Sequence, residues 1–344
     1  MADKSEDVLD CLIIGGGPAG LTAALYLGRF RRNCLLVDAG KSRAARIPLS
    51  HNMAGFPEGI TGEAYLARLR DQAERYGARI ERGEVMRIAR REETDGGGFE
   101  IRIGSPQAGT GQPNREQGDE AGPIEGERTL VAHNILLATG MTDEEPELPY
   151  LRQALRRGIL RYCPICDGYE VIGKKVCVVG EGEKGAEEAL FVRNYSDDVT
   201  LMTQGDPLDL REDVRERLRL AGIAVVRDPA EEIVLDGNEI RAVVAGKGET
   251  WTFDAIYAAL GSNPRSTLAA SLGAAMDEGG CVRVDTHQQT SVPGLYAAGD
   301  VVVGLAQVSV ATGHAAIAAT AIHNGLRVRE GMSLKTQRTR QDAA

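Results

Sequence analysis

Val8-Leu-Asp-Cys-Leu-Ile-Ile-Gly-Gly-Gly-Pro-Ala-Gly-Leu-Thr-Ala-Ala-Leu-Tyr-Leu27 decides the fold. The run from Val8 to Ile14 is almost unbroken in its apolar character, as a central parallel strand buried on both faces requires. It passes directly into Gly15-Gly-Gly-Pro-Ala-Gly20, and Leu21 to Leu27 then reads as helix. Gly15, Gly17 and Gly20 fill the three glycine positions of a dinucleotide fingerprint, which serve the tight turn, the close approach of backbone to pyrophosphate, and the packing of helix on strand. Pro18 and Ala19 complete the turn. Asn33-Cys-Leu-Leu-Val-Asp38 is the next strand, and its terminal acid lies about 20 residues on, where a ribose hydroxyl is gripped. A bare GxGxxG is a weak signal. Strand, glycines, helix, strand and acid in this order are a strong one.

The pattern recurs further along the chain. Lys175-Val-Cys-Val-Val179 reads as a strand, Gly180-Glu-Gly-Glu-Lys-Gly185 supplies Gly180, Gly182 and Gly185, and Ala186 to Asn194 reads as a helix. Glycines at such a turn can admit a second dinucleotide or serve the turn alone. Asn134-Ile-Leu-Leu-Ala-Thr-Gly140 ends one half in a glycine turn, as Ala255 to Gly261 ends the other. After the second half the chain returns to Gly294-Leu-Tyr-Ala-Ala-Gly-Asp300 and an alanine-rich helix reaching about Asn324, with a basic, frayed tail expected from Arg327. The fold class is therefore α/β, with two Rossmann-like dinucleotide-binding domains, the second inserted into the first. Residues 1–145 and 262–344 form the outer domain and 146–261 the inserted one. Gly104 to Gly122 is nearly devoid of apolar residues and reads as an exposed loop with no assigned function.

Arg161-Tyr-Cys-Pro-Ile-Cys-Asp-Gly-Tyr-Glu170 places two thiols, Cys163 and Cys166, inside this nucleotide framework. A CxxC beside a βαβ pattern in a reducing compartment signals thiol–disulfide exchange. Pro164 fixes its own φ and so presets the turn between the sulfurs. Asp167 is a candidate proton donor to the thiolate released when the disulfide opens; its plainer role is a turn residue before Gly168. A zinc half-site and a pair of buried thiols are the competing readings. Zinc normally requires a second ligand pair, and His51, His133, His287, His314, His323 and Cys177 form none. No metal is expected.

At 344 residues the chain accommodates two domains of ordinary size, and a charged fraction of 26% describes a soluble globular protein. A net charge of -10 argues against nucleic acid or an anionic membrane as partner. The start, Met1-Ala-Asp-Lys-Ser-Glu-Asp7, is polar and leads into a strand, not into a signal-peptide core, and no apolar run is long enough to span a bilayer. A cytoplasmic location is expected. Cys11, Cys34, Cys177 and Cys281 lie in or beside strands and read as core residues.

With Gly15 to Gly20, Ala138-Thr-Gly140, Cys163 to Gly168, Gly180 to Gly185 and Gly299-Asp300 in this order, the chain resembles the low-molecular-weight thioredoxin reductases over nearly its whole length. These are FAD-dependent pyridine nucleotide-disulfide oxidoreductases with two dinucleotide domains, usually homodimers. The resemblance implies that the first fingerprint binds FAD, with Asp38 on the adenosine ribose and Val85 by the adenine. It sets Asp300 on the ribityl chain, Asn52 in the loop lining the flavin, and Gln307 and Val308 at the start of the last helix beside the flavin ring. It further implies that Cys166 faces the flavin, that Asp167 protonates Cys163, and that Cys163 attacks a partner disulfide of the thioredoxin type.

The departures concern the electron donor. Members that use NADPH carry a His-Arg-Arg cluster and a further Arg after the second-domain strand, and this chain has Thr203-Gln-Gly-Asp206 and then Asp209. A 2′-phosphate finds no guanidinium there. Ala306 replaces the usual Arg before Gln307, and the Gly-Gln-Leu segment is missing around Lys41 to Ile47. NADPH and NADH both remain open as donors, as does a ferredoxin-type protein. Beside the reductase stand a dithiol oxidase of the same fold, with a small dithiol as substrate and dioxygen as oxidant, and a non-enzymatic flavin redox sensor.

Overall fold

The computed structural model describes residues 8–92, 94, 96–105, 127–145, 151–202, 210–226, 230–236, 239–244 and 250–334. Contacts divide the chain into two units. One comprises Met1–Ala44, Ala64–Met141 and Pro264–Ala344, the other Ala45–Glu63 and Thr142–Asn263. The segment Ala45–Glu63, which the sequence reading keeps in the outer domain, thus groups with the second unit. Its side chains explain why: Arg46 pairs with Glu145 and covers the Tyr162 ring, and Asn52 donates to the Ile165 carbonyl.

In the first unit β1 (Leu9–Ile14) leads through the glycine turn to α1 (Pro18–Arg29) and β2 (Cys34–Asp38). Then come α2 (Gly62–Arg75), β3 (Arg79–Arg82), β4 (Glu84–Arg90), β5 (Phe99–Gly104) and β6 (Arg128–Leu137). The sheet order is β3-β2-β1-β6-β5-β4, and a late strand, Leu295–Ala297, also pairs with β6. Pairing is parallel around β1, with Ile14 opposite Val37 and Leu137, and antiparallel from β6 to β4. The alternation of β1 fills two cores. Cys11 and Ile13 lie in one with α1 and the helix Val308–Arg329; Leu12 and Ile14 lie in the other with Val37, Val85 and Ile103. Ala19, Ala23 and Ala24 share the first core with Ala311, Ala315, Ala318 and Ala319, and such small residues let two helices approach closely. The last helix continues past Asn324 to Arg329, where fraying was expected. Burial of Leu326 and the bonds from Arg32 to Glu330 hold its end.

The second unit carries a parallel sheet in the order Ala224–Val226, Asp198–Met202, Lys175–Gly180, Ala255–Ala259, Leu160–Arg161. The helix Gly182–Val192 begins within the second glycine motif, not after it at Ala186. A three-stranded antiparallel sheet pairs Glu239–Val244 with Ala230–Asp236 on one side and Thr250–Phe253 on the other. Among the described residues no helix is long and apolar enough to cross a membrane.

Candidate dinucleotide and redox sites

The first glycine turn is built for close approach. Gly15 has φ +110°, a left-handed conformation that side chains rarely adopt, and a Cβ there would stand 2.3 Å from the Ala138 oxygen. A Cβ on Gly20 would stand 1.9 Å from the Gly15 oxygen, so helix and turn touch through backbone. Gly17 caps α1 without a side-chain hydrogen bond, and the first turn holds no acidic residue. Its N–H groups and the helix dipole therefore favour an anion. Asp38, buried at the end of β2, accepts hydrogen bonds from the Gly40 N–H (2.7 Å) and from Arg70 (2.9 Å). Asp38 lies against Gly16, and Gly299, ahead of Asp300, lies against Ala19 and Ala311. Thr139 donates to the Arg265 carbonyl at 2.7 Å. The structure thus gathers Gly15 to Gly20, Asp38, Ala138 to Gly140, Gly299 and Asp300 in one unit, in a cradle that fits the pyrophosphate and ribose of a dinucleotide.

Val85 is buried in β4, and Gln307 caps the helix that begins at Val308. Asn52 belongs by its contacts to the second unit, where Ser50 donates to its side-chain oxygen at 2.8 Å. Sequence reasoning missed Arg43, which lies 3.3 Å from the Asp300 carboxylate. It also missed Arg70 on Asp38, since neither side chain belongs to a local motif.

The second glycine turn is packed the same way but charged differently. Gly180 and Gly185 meet backbone to backbone, 2.7 Å from where either Cβ would be, while Gly182 faces open space. The helix that follows has Glu181 at its N-cap and Glu183 in its first turn, the latter held by Arg211 at 2.8 Å. Carboxylates already stand at this positive helix end, so it attracts a phosphate less than α1 does. Thr203 to Asp209, the segment that replaces the arginine cluster, lies outside the described residues.

Cys163 and Cys166 are joined as a disulfide, with Cα atoms 5.3 Å apart. This sets aside the zinc and free-thiol readings for this pair. Cys163 is the N-cap of the short helix Pro164–Asp167, with Pro164 at its first position, where a missing N–H costs no hydrogen bond. The Cys166 N–H donates to the Cys163 carbonyl at 2.9 Å. Ile165 and Tyr169 flank the disulfide and are exposed. Cys11, Cys34 and Cys177 are buried, and burial pushes their thiols up, Cys34 to about 11. Cys281 is only half-buried.

Asp167 is the most constrained group here. Tyr257 donates to one carboxylate oxygen at 2.8 Å, and Arg161 lies 2.7 Å from the other. Burial raises the Asp167 pKa, while the Arg161 charge, the Tyr257 hydrogen bond and the Arg161 hydrogen bond act against it. Arg161 and Tyr257 are register partners in adjacent parallel strands, so strand pairing brings them together across the sequence.

The chain matches the family described as "Pyridine nucleotide-disulphide oxidoreductase" over residues 9–315. It is 30% identical to the thioredoxin reductase of Treponema pallidum over 325 residues, 92% of this chain and 96% of that one. With the thioredoxin reductase of Listeria innocua it shares 28% identity over 325 residues, 92% and 93% of the two chains. Among solved structures it resembles HlmI with a TM-score of 0.82 at 29% identity, over 100% of both chains. The thioredoxin reductase of Giardia duodenalis gives a TM-score of 0.76 at 26% identity, over 92% of this chain and 98% of that one.

Proposed function

Because the chain belongs to the pyridine nucleotide-disulphide oxidoreductases, as an FAD-dependent thiol–disulfide oxidoreductase of the thioredoxin reductase type, we propose that Cys163 and Cys166 reduce a thioredoxin-like protein disulfide. One observation carries the reading: the two cysteines form a disulfide at the start of a short helix, with a hydrogen-bonded carboxylate next in sequence. Gly15, Gly17, Pro18, Ala19 and Gly20 hold the FAD pyrophosphate, and Asp38 its adenosine ribose. Ala138, Thr139, Gly140, Gly299 and Asp300 line the same cradle; Val85, Asn52, Gln307 and Val308 are assigned to the cofactor by resemblance. FAD, when bound, supplies and accepts an electron pair. The chain's own residues do the rest. Cys163 attacks the partner disulfide, Cys166 resolves the mixed disulfide, and Asp167 holds and returns the proton of Cys163.

Purified protein is expected to be yellow, with a flavin absorption spectrum. Folded protein that stays colourless after incubation with FAD would falsify the cofactor assignment. Anaerobic addition of the thioredoxin-type disulfide to chemically reduced protein should restore the oxidised flavin spectrum.

The donor follows from the arginines missing at Thr203 to Asp209, with the second glycine turn weakening the hold on any dinucleotide. A 2′-phosphate without charge-assisted partners loses about ten- to a hundredfold in affinity per missing contact, and Glu181 and Glu183 oppose a phosphate at that helix end. NADPH is therefore expected to show no preference over NADH, and both to reduce the flavin slowly. An anaerobic titration with NADPH, NADH and a small dithiol, followed by flavin bleaching, checks this. Rapid, saturable reduction by micromolar NADPH with a clear preference over NADH contradicts it.

A further inference from the structure

Tyr257 is wholly buried in the strand Ala255–Ala259, yet its hydroxyl reaches a charged group. It donates at 2.8 Å to the Asp167 carboxylate and at 3.2 Å to the Asp167 main-chain carbonyl. From the paired strand, Arg161 makes the matching contacts, 2.7 Å to the other carboxylate oxygen and 3.4 Å to the same carbonyl. Side chain and main chain of Asp167 are thus held from two strands at once. The Arg161 Nε–H is buried and has no hydrogen-bond partner among the described residues.

We propose that Tyr257, with Arg161, is a positioning residue for thiol–disulfide exchange, acting through the Asp167 carboxyl; the inference rests on reading Cys163–Cys166 as the exchanging pair. A carboxyl with both oxygens held is restrained from turning, and Asp167 ends the short helix that Cys163 caps and that contains Cys166. As the reduced chain reacts, the Cys163 thiol passes its proton to Asp167 while its sulfur bonds to one sulfur of the incoming disulfide. The incoming S–S bond breaks and its far sulfur leaves as thiolate. Cys166 then gives up its proton and attacks Cys163, the mixed disulfide breaks, and the second incoming sulfur leaves. The two protons end on the two departing thiolates, so the incoming disulfide is reduced to a dithiol and the cysteine pair is oxidised.

The groups facing Asp167 are Arg161, Tyr257 and Glu170 of the following turn. Arg161 and Tyr257 favour the carboxylate; burial and the Glu170 charge oppose it. Removing the Tyr257 hydroxyl lets burial count for more and moves the Asp167 titration upward. In the direction from reduced chain to incoming disulfide Asp167 works ionised, so the rise of rate with pH should move to higher pH.

Stopped-flow reaction of the FAD-loaded chain, pre-reduced with dithiothreitol and freed of it, with a chromogenic aryl disulfide over a wide pH range tests the proposal. Tyr257→Phe should slow exchange about three- to tenfold at neutral pH, the worth of one ordinary hydrogen bond, and move the low-pH limb upward. Arg161→Gln should move it the same way and provides the second variant if the first folds poorly, as judged by FAD content. In Asp167→Asn that limb should vanish, and adding Tyr257→Phe should change nothing further. A limb in Tyr257→Phe that coincides with the parent's, or equal slowing by Tyr257→Phe in the Asp167→Asn background, overturns the proposal. Unchanged exchange in Cys163→Ser would instead remove the reading of the pair itself.

Discussion

Cys166→Ser is expected to abolish disulfide turnover and leave FAD bound, and Cys163→Ser likewise. Turnover requires the pair to cycle between dithiol and disulfide, and one sulfur cannot do so alone. The FAD cradle draws on other residues altogether, Gly15 to Gly20, Asp38 and Ala138 to Gly140, none of which touches the helix Pro164–Asp167 in sequence. Flavin content and thioredoxin-dependent turnover, measured on the same preparation, separate the two properties. The control is Cys177→Ser: Cys177 is fully buried in a central strand, its thiol pushed well above the usual range by burial alone, and its loss should leave turnover intact. Full activity in Cys166→Ser would sink the mechanism.

Asp167→Asn is the second large effect. The amide keeps the size and the contact with Tyr257 but has no transferable proton, so exchange should slow by roughly 10²-fold, the low end for general acid–base catalysis. The same change leaves the Arg161 guanidinium, 12% exposed, without its counter-charge. Some loss of stability should accompany the loss of rate, smaller than for a fully buried pair because the Asp167 side chain is 24% exposed. Rates are therefore expressed per bound flavin, and a thermal melt is run beside them. A rate within twofold of the parent would return Asp167 to a turn residue before Gly168.

The path from β1 through the glycine turn to α1, β2 and Asp38 was legible in the sequence because each step is local. A continuous apolar run, glycines at fixed offsets and a helical period need no knowledge of distant chain. The Cys163–Cys166 pair was legible for the same reason. Arg161 and Tyr257 were not, since what unites them on Asp167 is the register of two parallel strands far apart in sequence. The grouping of Ala45–Glu63 with the second unit was not legible for a similar reason: the segment lies inside the sequence span of the first. The start of the helix Gly182–Val192 was missed because glycine there read as turn, while Gly185 lies inside the helix against the Gly180 backbone.

The first unit is closed by its last pieces, the strand Leu295–Ala297 against β6 and the helix Val308–Arg329 over α1. During synthesis, then, β1 and α1 emerge first and wait longest. Whatever part of α1 packs on the last helix stays uncovered on the nascent chain until residues beyond 308 have left the ribosome, whereas the second unit has all its segments by Asn263. Domains generally fold as units in the order in which they are completed, so the inserted unit folds ahead of the one that encloses it in sequence. A ribosome that stalls between residues 264 and 308 strands an apolar helix face in water, the state that chaperones bind and proteases clear.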